Sequence, residues 1–243
     1  DGSTRADREP LQAYLRKAMR RPVNVAVPDQ YSDTVAGLRD GSYDFASLGA
    51  LTYIRAHAKY GVIPLVQSTS DSQFHSVFIT GADSSIHSLR DLKGKKFAFG
   101  DVNSTSAYLI PYLEIKRAGI NPDTDLKIRY SGSHPATAAL VETGAVDAGA
   151  LGETLFHYLI STGKLDLARV RIFYTSRPFV DSAWVARKDV PQAERESFSR
   201  ALLALNEGKN DPVMKILRAK QFVVANDEEY ASTRQIAKEL EMF

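Results

Sequence analysis

The sequence predicts an α/β protein built as two lobes, and three observations carry that prediction. Segments with apolar residues at helical spacing take turns with short alternating or β-branched segments, the pattern of strands covered by helices. The alternation runs through the first 80 residues and then starts again from about residue 85 to residue 174. Beyond a strand-like return at residues 184–187 the chain reads as helices alone.

Glu9 to Met19 carries Leu11, Tyr14, Leu15 and Ala18 on one helical face. Val23 to Val27 alternates and is rich in valine, as a strand would be. Tyr31 to Asp40 reads as a helix stopped by Gly41, Tyr43 to Leu48 as a strand, and Ala50 to Tyr60 as a helix. Val62 to Gln67 and Ser76 to Thr80 follow as strands, which points to a largely parallel sheet. The second series opens with a helical turn over Ser85 to Leu92 and a strand over Lys95 to Phe99. A helix over Ser104 to Ala118, a strand over Leu126 to Tyr130, a helix over Pro135 to Thr143 and a strand over Val146 to Leu151 continue it. Glu153 to Thr162 is the next helix, Val170 to Tyr174 the last strand, and Trp184 to Arg187 a strand-like return. Gln192 to Glu207, Pro212 to Ala219 and Glu228 to Met242 are predicted helices. The economical arrangement makes residues 1–84 and 178–243 one discontinuous lobe and residues 85–177 an inserted second lobe. Two crossings would then form a hinge, with a ligand cleft between the lobes.

Composition narrows the function. With 31 basic and 29 acidic side chains the net charge is +2, too balanced for a nucleic-acid binder. The 44% hydrophobic content is that of a folded protein, and no stretch approaches the roughly 18 apolar residues of a membrane span. Cysteine is absent, so disulfides, thiolate metal sites and cysteine nucleophiles are excluded. The polar opening Asp1-Gly-Ser-Thr4, with no leader and no strand ahead of the first helix, reads as a trimmed start.

The chemistry concentrates at strand ends. Phe97-Ala-Phe-Gly-Asp-Val-Asn-Ser-Thr-Ser106 is a strand, a tight turn and three successive hydroxyl residues at a helix start. A helix N-terminus offers unpaired N–H donors and a partial positive charge, so Ser104, Thr105 and Ser106 fit an oxyanion. N-capping is the simpler reading of the same residues. The motif is no Walker loop, because Gly-Lys-Ser/Thr is missing. Tyr130-Ser-Gly-Ser-His134 ends the next strand and again precedes a helix. In an open parallel sheet that puts Ser131 and His134 on the same rim, His134 either donating to an anion or capping its helix. Gly152-Glu153 ends a third strand there, Glu153 being a helix-start carboxylate or a partner for a cationic group. The histidines show no zinc spacing, and no Gly-x-Ser-x-Gly elbow or Ser/His/Asp set stands out. Neither a metal, a cofactor nor a catalytic residue is expected.

Leu92-Lys-Gly-Lys-Lys-Phe-Ala-Phe-Gly-Asp-Val-Asn-Ser-Thr-Ser-Ala-Tyr-Leu-Ile-Pro111 resembles the periplasmic phosphonate-, phosphite- and phosphate-binding proteins of ABC transporters. Asp44 to Tyr53, Val146 to Ala150 and Trp184 to Pro191 are similar to the same family, and the likeness runs from Glu9 onwards. The resemblance implies a type II two-lobed periplasmic-binding-protein fold that closes on its ligand, in the periplasm or lipid-anchored outside the cytoplasm. It implies that Ser104, Thr105 and Ser106 hold phosphonate oxygens with His134, that Tyr31 also contacts the ligand, and that Glu153 and Asp181 receive an ammonium group. On that basis 2-aminoethylphosphonate is the favoured ligand, with phosphite, methylphosphonate or another small oxyanion open. Phe74 stands where many relatives have a tyrosine, which removes a hydroxyl from the site, and Ala50 replaces a usual proline. The implied partner is a membrane permease, and the state in solution is a monomer or a dimer. An extracytoplasmic sensor domain of a membrane receptor is the alternative function. The effector-binding domain of a transcription regulator comes third and an enzyme last.

Overall fold

The computed structural model describes residues 5–28 and 30–243. The polar opening Asp1 to Thr4, and Asp29 ahead of Tyr31, lie outside the described residues. Helix α1 is Arg5–Met19, α2 Tyr31–Asp40, strand β1 Phe45–Gly49, α3 Ala50–Tyr60, β2 Ile63–Ser68 and β3 Ser76–Gly81. Then come β4 Lys96–Phe99, α4 Ile110–Arg117, α5 Pro122–Asp125, β5 Lys127–Tyr130, α6 His134–Glu142, β6 Ala148–Gly152 and α7 Glu153–Ser161. The remaining elements are β7 Val170–Thr175, β8 Ser182–Ala186, α8 Gln192–Leu203, α9 Asp211–Leu217, β9 Phe222–Val224 and α10 Ala231–Glu239.

The chain divides into two compact units. The first runs to Gln73 and resumes over Val180–Arg234, and the second is Phe74–Phe179 with Gln235–Phe243. The boundary expected near residue 84 therefore falls earlier. Strand β3 is buried along nearly its whole length, and its two neighbours, β6 and β7, both belong to the second unit. The last nine residues also leave the expected first lobe, because Leu240 and Met242 pack on the aromatic core of the second unit. The chain thus crosses between units three times rather than twice.

In the first unit the strand order is β1-β8-β2-β9, with every neighbouring pair antiparallel. The expected parallel sheet is present only as a direction. β1 and β2 run the same way, but the returning strand β8 is inserted between them. One face packs on Leu11 and Leu15 of α1, Phe198 and Leu202 of α8, and Met214 of α9. Phe45 stacks on Phe198 with ring centroids 4.2 Å apart. Helix α3 buries Leu51, Tyr53 and Ile54. The predicted strand Val23 to Val27 does not form. Its backbone is satisfied by α1 side chains instead: Val25 N–H donates to Gln12 Oε1 at 2.8 Å, and Val23 O accepts from Arg16 Nε at 3.1 Å. Side-chain partners remove the need for a sheet neighbour. Strand β9, only three residues long, offered too short a pattern to read.

In the second unit the order is β5-β4-β6-β3-β7. β4 pairs in parallel with β5 and β6, while β3 is antiparallel to β6 and β7. One sheet face bears Phe78, Phe97, Phe99, Ala148 and Ala150 and packs on Tyr112 and Ile115 of α4. The other bears Val77, Ile79, Ala98 and Leu151 and packs on Ala138 and Val141 of α6 and Phe156 and Leu159 of α7. This alternation along each strand gives a three-layer α/β/α unit.

Candidate ligand-binding site

The order of the strands selects a place on the second unit. From β4 the chain crosses by way of α4 to β5 on one side, then through α6 to β6 on the other. Helices α4 and α6 lie on opposite faces, so the carboxyl end of β4 is a topological switch point, where a crevice opens. Ser104 to Ser106 and His134 follow the carboxyl ends of β4 and β5, and Gly152 is the carboxyl end of β6.

The turn after β4 is compact. Gly100 N–H donates to Ala107 O at 2.9 Å, and a Cβ at Gly100 would stand 2.6 Å from Ala107 Cβ. Only glycine fits between the strand and the helix start. Asp101 Oδ1 accepts from Asn103 N at 2.7 Å and shapes the turn. Ser104 is the N-cap, its Oγ accepting from Ala107 N at 3.1 Å. The predicted helix over Ser104 to Ala118 then starts as a π turn, Thr105–Leu109, with Leu109 N–H donating to Ser104 O at 3.1 Å. Its ladder therefore begins one residue later than in an α-helix, a geometry that recurs at functional sites. Ser104, Thr105 and Ser106 are 2%, 1% and 4% exposed, so an anion among them would be shielded from water.

His134 sits at the first position of α6, and its Nδ1 accepts from Gly152 N–H at 3.0 Å. That bond occupies the Nδ1 lone pair and puts the ring proton on Nε2, making the imidazole a neutral N–H donor. Ser133, one residue earlier, is the N-cap, accepting from Ala136 N at 3.3 Å. His134 is therefore not the capping residue. Gly152 is also where other site residues meet. A Cβ there would lie 3.0 Å from Ser106 Oγ and 3.1 Å from the Phe74 ring, so Ser106, Phe74 and His134 surround one glycine. Phe74 presents only carbon. The neighbouring His75 does not replace the missing hydroxyl, because successive residues of an extended strand point to opposite faces, and its Nδ1 lies 2.8 Å from Ser176 O. Glu153 starts α7 with its N–H donating to His75 O at 3.1 Å. Its half-exposed carboxylate faces His157 along the helix at 3.8 Å.

Tyr31 and Asp181 belong to the first unit. Tyr31 is the first residue of α2, partly buried. Asp181 directly precedes β8, whose Ser182 lies opposite Gly49 at the carboxyl end of β1. Its N–H donates to Asp71 O at 2.9 Å. Asp71 is a residue that sequence reasoning missed. Its Oδ2 accepts from Ser68 N at 3.1 Å. Burial pushes its carboxyl up to about 6, against hydrogen bonds from Ser182 and Ser68 that pull it down. Tyr230 donates to Gln67 Oε1 at 2.8 Å and Ser182 O at 3.0 Å. Its phenol is raised first by burial and then by the charge of Asp71. Among the described residues no group of three His, Asp or Glu is arranged to hold a metal, and no helix is long and apolar enough to cross a membrane.

Two α/β units whose sequences interleave, one of them carrying a rim of buried hydroxyls, define a substrate-binding protein of the periplasmic type. Residues 2–230 match the family described as ABC transporter, phosphonate, periplasmic substrate-binding protein, and the chain belongs to that family. Its members are transport components rather than enzymes, and they act outside the cytoplasm. The chain is 29% identical over 225 residues to the probable ABC transporter phosphite binding protein PhnD1 of Prochlorococcus marinus (strain MIT 9301), covering 86% of this chain and 76% of the relative. It is 26% identical to the phosphate-import protein PhnD of Mycolicibacterium smegmatis, covering 75% of this chain and 61% of that one. The solved structure of the Prochlorococcus PhnD1 in complex with methylphosphonate superposes with a TM-score of 0.89 at 27% identity, covering 98% of this chain and 93% of that one.

Proposed function

We propose that this protein captures a small phosphonate or phosphite and delivers it to its membrane permease. The oxyanion is held by the hydroxyls of Ser104, Thr105 and Ser106 and by Nε2–H of His134. The observation that carries this reading is the Gly152 N–H bond to His134 Nδ1, which leaves a neutral histidine able to donate beside three buried hydroxyls. A tetrahedral oxyanion is an acceptor on every oxygen, so a rim of donors matches it. Among such ligands, methylphosphonate and phosphite suit the carbon-only Phe74 and a Glu153 turned towards His157. A second reading, 2-aminoethylphosphonate, draws its support from the carboxylates Asp181 and Asp71, which an ammonium group would neutralise.

Calorimetric titration with methylphosphonate, phosphite, phosphate, sulfate and 2-aminoethylphosphonate tests the proposal. Thr105→Val is expected to weaken the best ligand by about 1–3 kcal/mol, roughly 5- to 150-fold, through a lost hydrogen bond to a charged group. Binding by Thr105→Val at wild-type affinity removes the cradle, and no binding across the panel removes the ligand class.

A further inference from the structure

The strand opposite Gly152 carries a hydroxyl to which nothing so far assigns a role. Ser76 begins β3, is 0% exposed, and its Oγ has no hydrogen-bond partner among the described residues. A buried hydroxyl without a partner is uncommon in a native protein and destabilising, so its retention calls for a reason. The β3–β6 register supplies one. Ser76 is paired with Gly152, and the adjacent pair is closed by Glu153 N–H to His75 O at 3.1 Å. In an antiparallel ladder this makes Ser76 and Gly152 a non-hydrogen-bonded pair, whose side-chain directions coincide and whose Cα atoms approach to about 4.5 Å. The face is that of Phe74 and Phe78, and it is where a Cβ on Gly152 would lie 3.0 Å from Ser106 Oγ. Ser106, 4% exposed, turns its Oγ to this same face. Two hydroxyls therefore flank this glycine, one on the rim and one behind it, with no hydrogen bond between them in the ligand-free protein.

We propose that Ser76 is a positioning residue for the oxyanion site and acts through Ser106. When Ser106 donates its proton to the ligand's oxygen, its lone pair accepts from Ser76 Oγ–H, and the second hydroxyl orients and polarises the first. The inference rests on the cradle reading of Ser104 to Ser106.

Binding of methylphosphonate and of phosphite to Ser76→Ala, Ser106→Ala, the double variant and Thr105→Val, measured by calorimetry beside the ligand-free melting temperature, tests this. Ser76→Ala is expected to lower affinity about 5- to 20-fold, on the scale of one hydrogen bond in a charged network. Its ligand-free melting temperature should stay level or rise, since the substitution deletes an unsatisfied group. In the Ser106→Ala background the same change should cost no further affinity. Wild-type affinity in Ser76→Ala, an equal loss in both backgrounds, or a loss of affinity tracking a fall in melting temperature each overturns the proposal. If Thr105→Val binds weakly while Ser76→Ala binds normally, only the role of Ser76 falls. If neither changes affinity, or wild type binds neither probe, the cradle falls and the role of Ser76 with it.

Discussion

The two units carry opposite chemistry at corresponding ends of their sheets. In the second, the parallel strands β5, β4 and β6 bring three carboxyl ends together, β4 and β5 leading into helix starts capped by Ser104 and Ser133 and β6 into the helix start at Gly152. In the first, β8 runs antiparallel between β1 and β2, so the amino end of β8 arrives among their carboxyl ends and brings Asp181 with it. There β2 leads into a short 3₁₀ turn, Thr69–Gln73, which contributes Asp71. One strand's direction thus separates a donor-rich rim from an acceptor-rich one. Helix starts attract anions, whereas carboxylates held beside backbone acceptors need a proton or a cation.

The largest test of this comparison asks whether the units are separate in stability as well as in chemistry. Phe78 is fully buried at the centre of the second unit's aromatic core, its ring 5.3 Å from Tyr174 and 6.1 Å from Phe97. Phe78→Ala is expected to cost about 3–5 kcal/mol. Trp184, the chain's single tryptophan, lies on β8 of the first unit. Urea unfolding followed by its fluorescence should keep its midpoint while far-UV circular dichroism loses stability. Equal shifts in both signals would show the units unfolding as one.

Asp71 sharpens the contrast through pH. Its folded-state value is above the ordinary one, so the native protein holds a proton more tightly than the unfolded chain. Its protonation stabilises fully below about 3.8, and that contribution fades as pH rises through about 6. The difference corresponds to up to about 3 kcal/mol. The charge of Asp71 is in turn among the causes that raise the Tyr230 phenol. Asp71→Asn should therefore raise the melting temperature at pH 7.5 and flatten its fall between pH 4 and 6. An unchanged slope would show that the carboxylate is solvated.

Asp181→Asn divides the two ligand readings. It should weaken 2-aminoethylphosphonate by about 1–3 kcal/mol and leave methylphosphonate nearly untouched, if an ammonium group is received there. Equal losses for both ligands in calorimetry would give Asp181 a structural role. The smallest effect belongs to Glu153→Gln. Its carboxylate is 39% exposed and faces His157 one turn along the helix, so stability should change by less than about 0.5 kcal/mol by thermal denaturation. A larger loss of methylphosphonate affinity would bring Glu153 into the site.

The periodicity of α2 and α3 was sufficient to place both helices at their observed ends, because their apolar faces and the glycines that stop them are local features. The hydroxyl run Ser104 to Ser106 and His134 were equally legible, being short motifs at strand-to-helix junctions. Pairing was not. Val23 to Val27 has the pattern of a strand, yet the side chains of Gln12 and Arg16 hold its backbone. β3 reads as the end of the first α/β series but finds its partners in the second unit. By itself the sequence determined the alternation of elements and the chemistry at each strand end, since both depend on neighbours a few residues apart. Only the tertiary structure decided which strands became neighbours, how Gly152 gathers Ser106, Phe74 and His134, and that Ser76 is a buried polar group and Asp71 a partly buried one. Those properties arise from register and burial, and residues far apart in sequence settle them together.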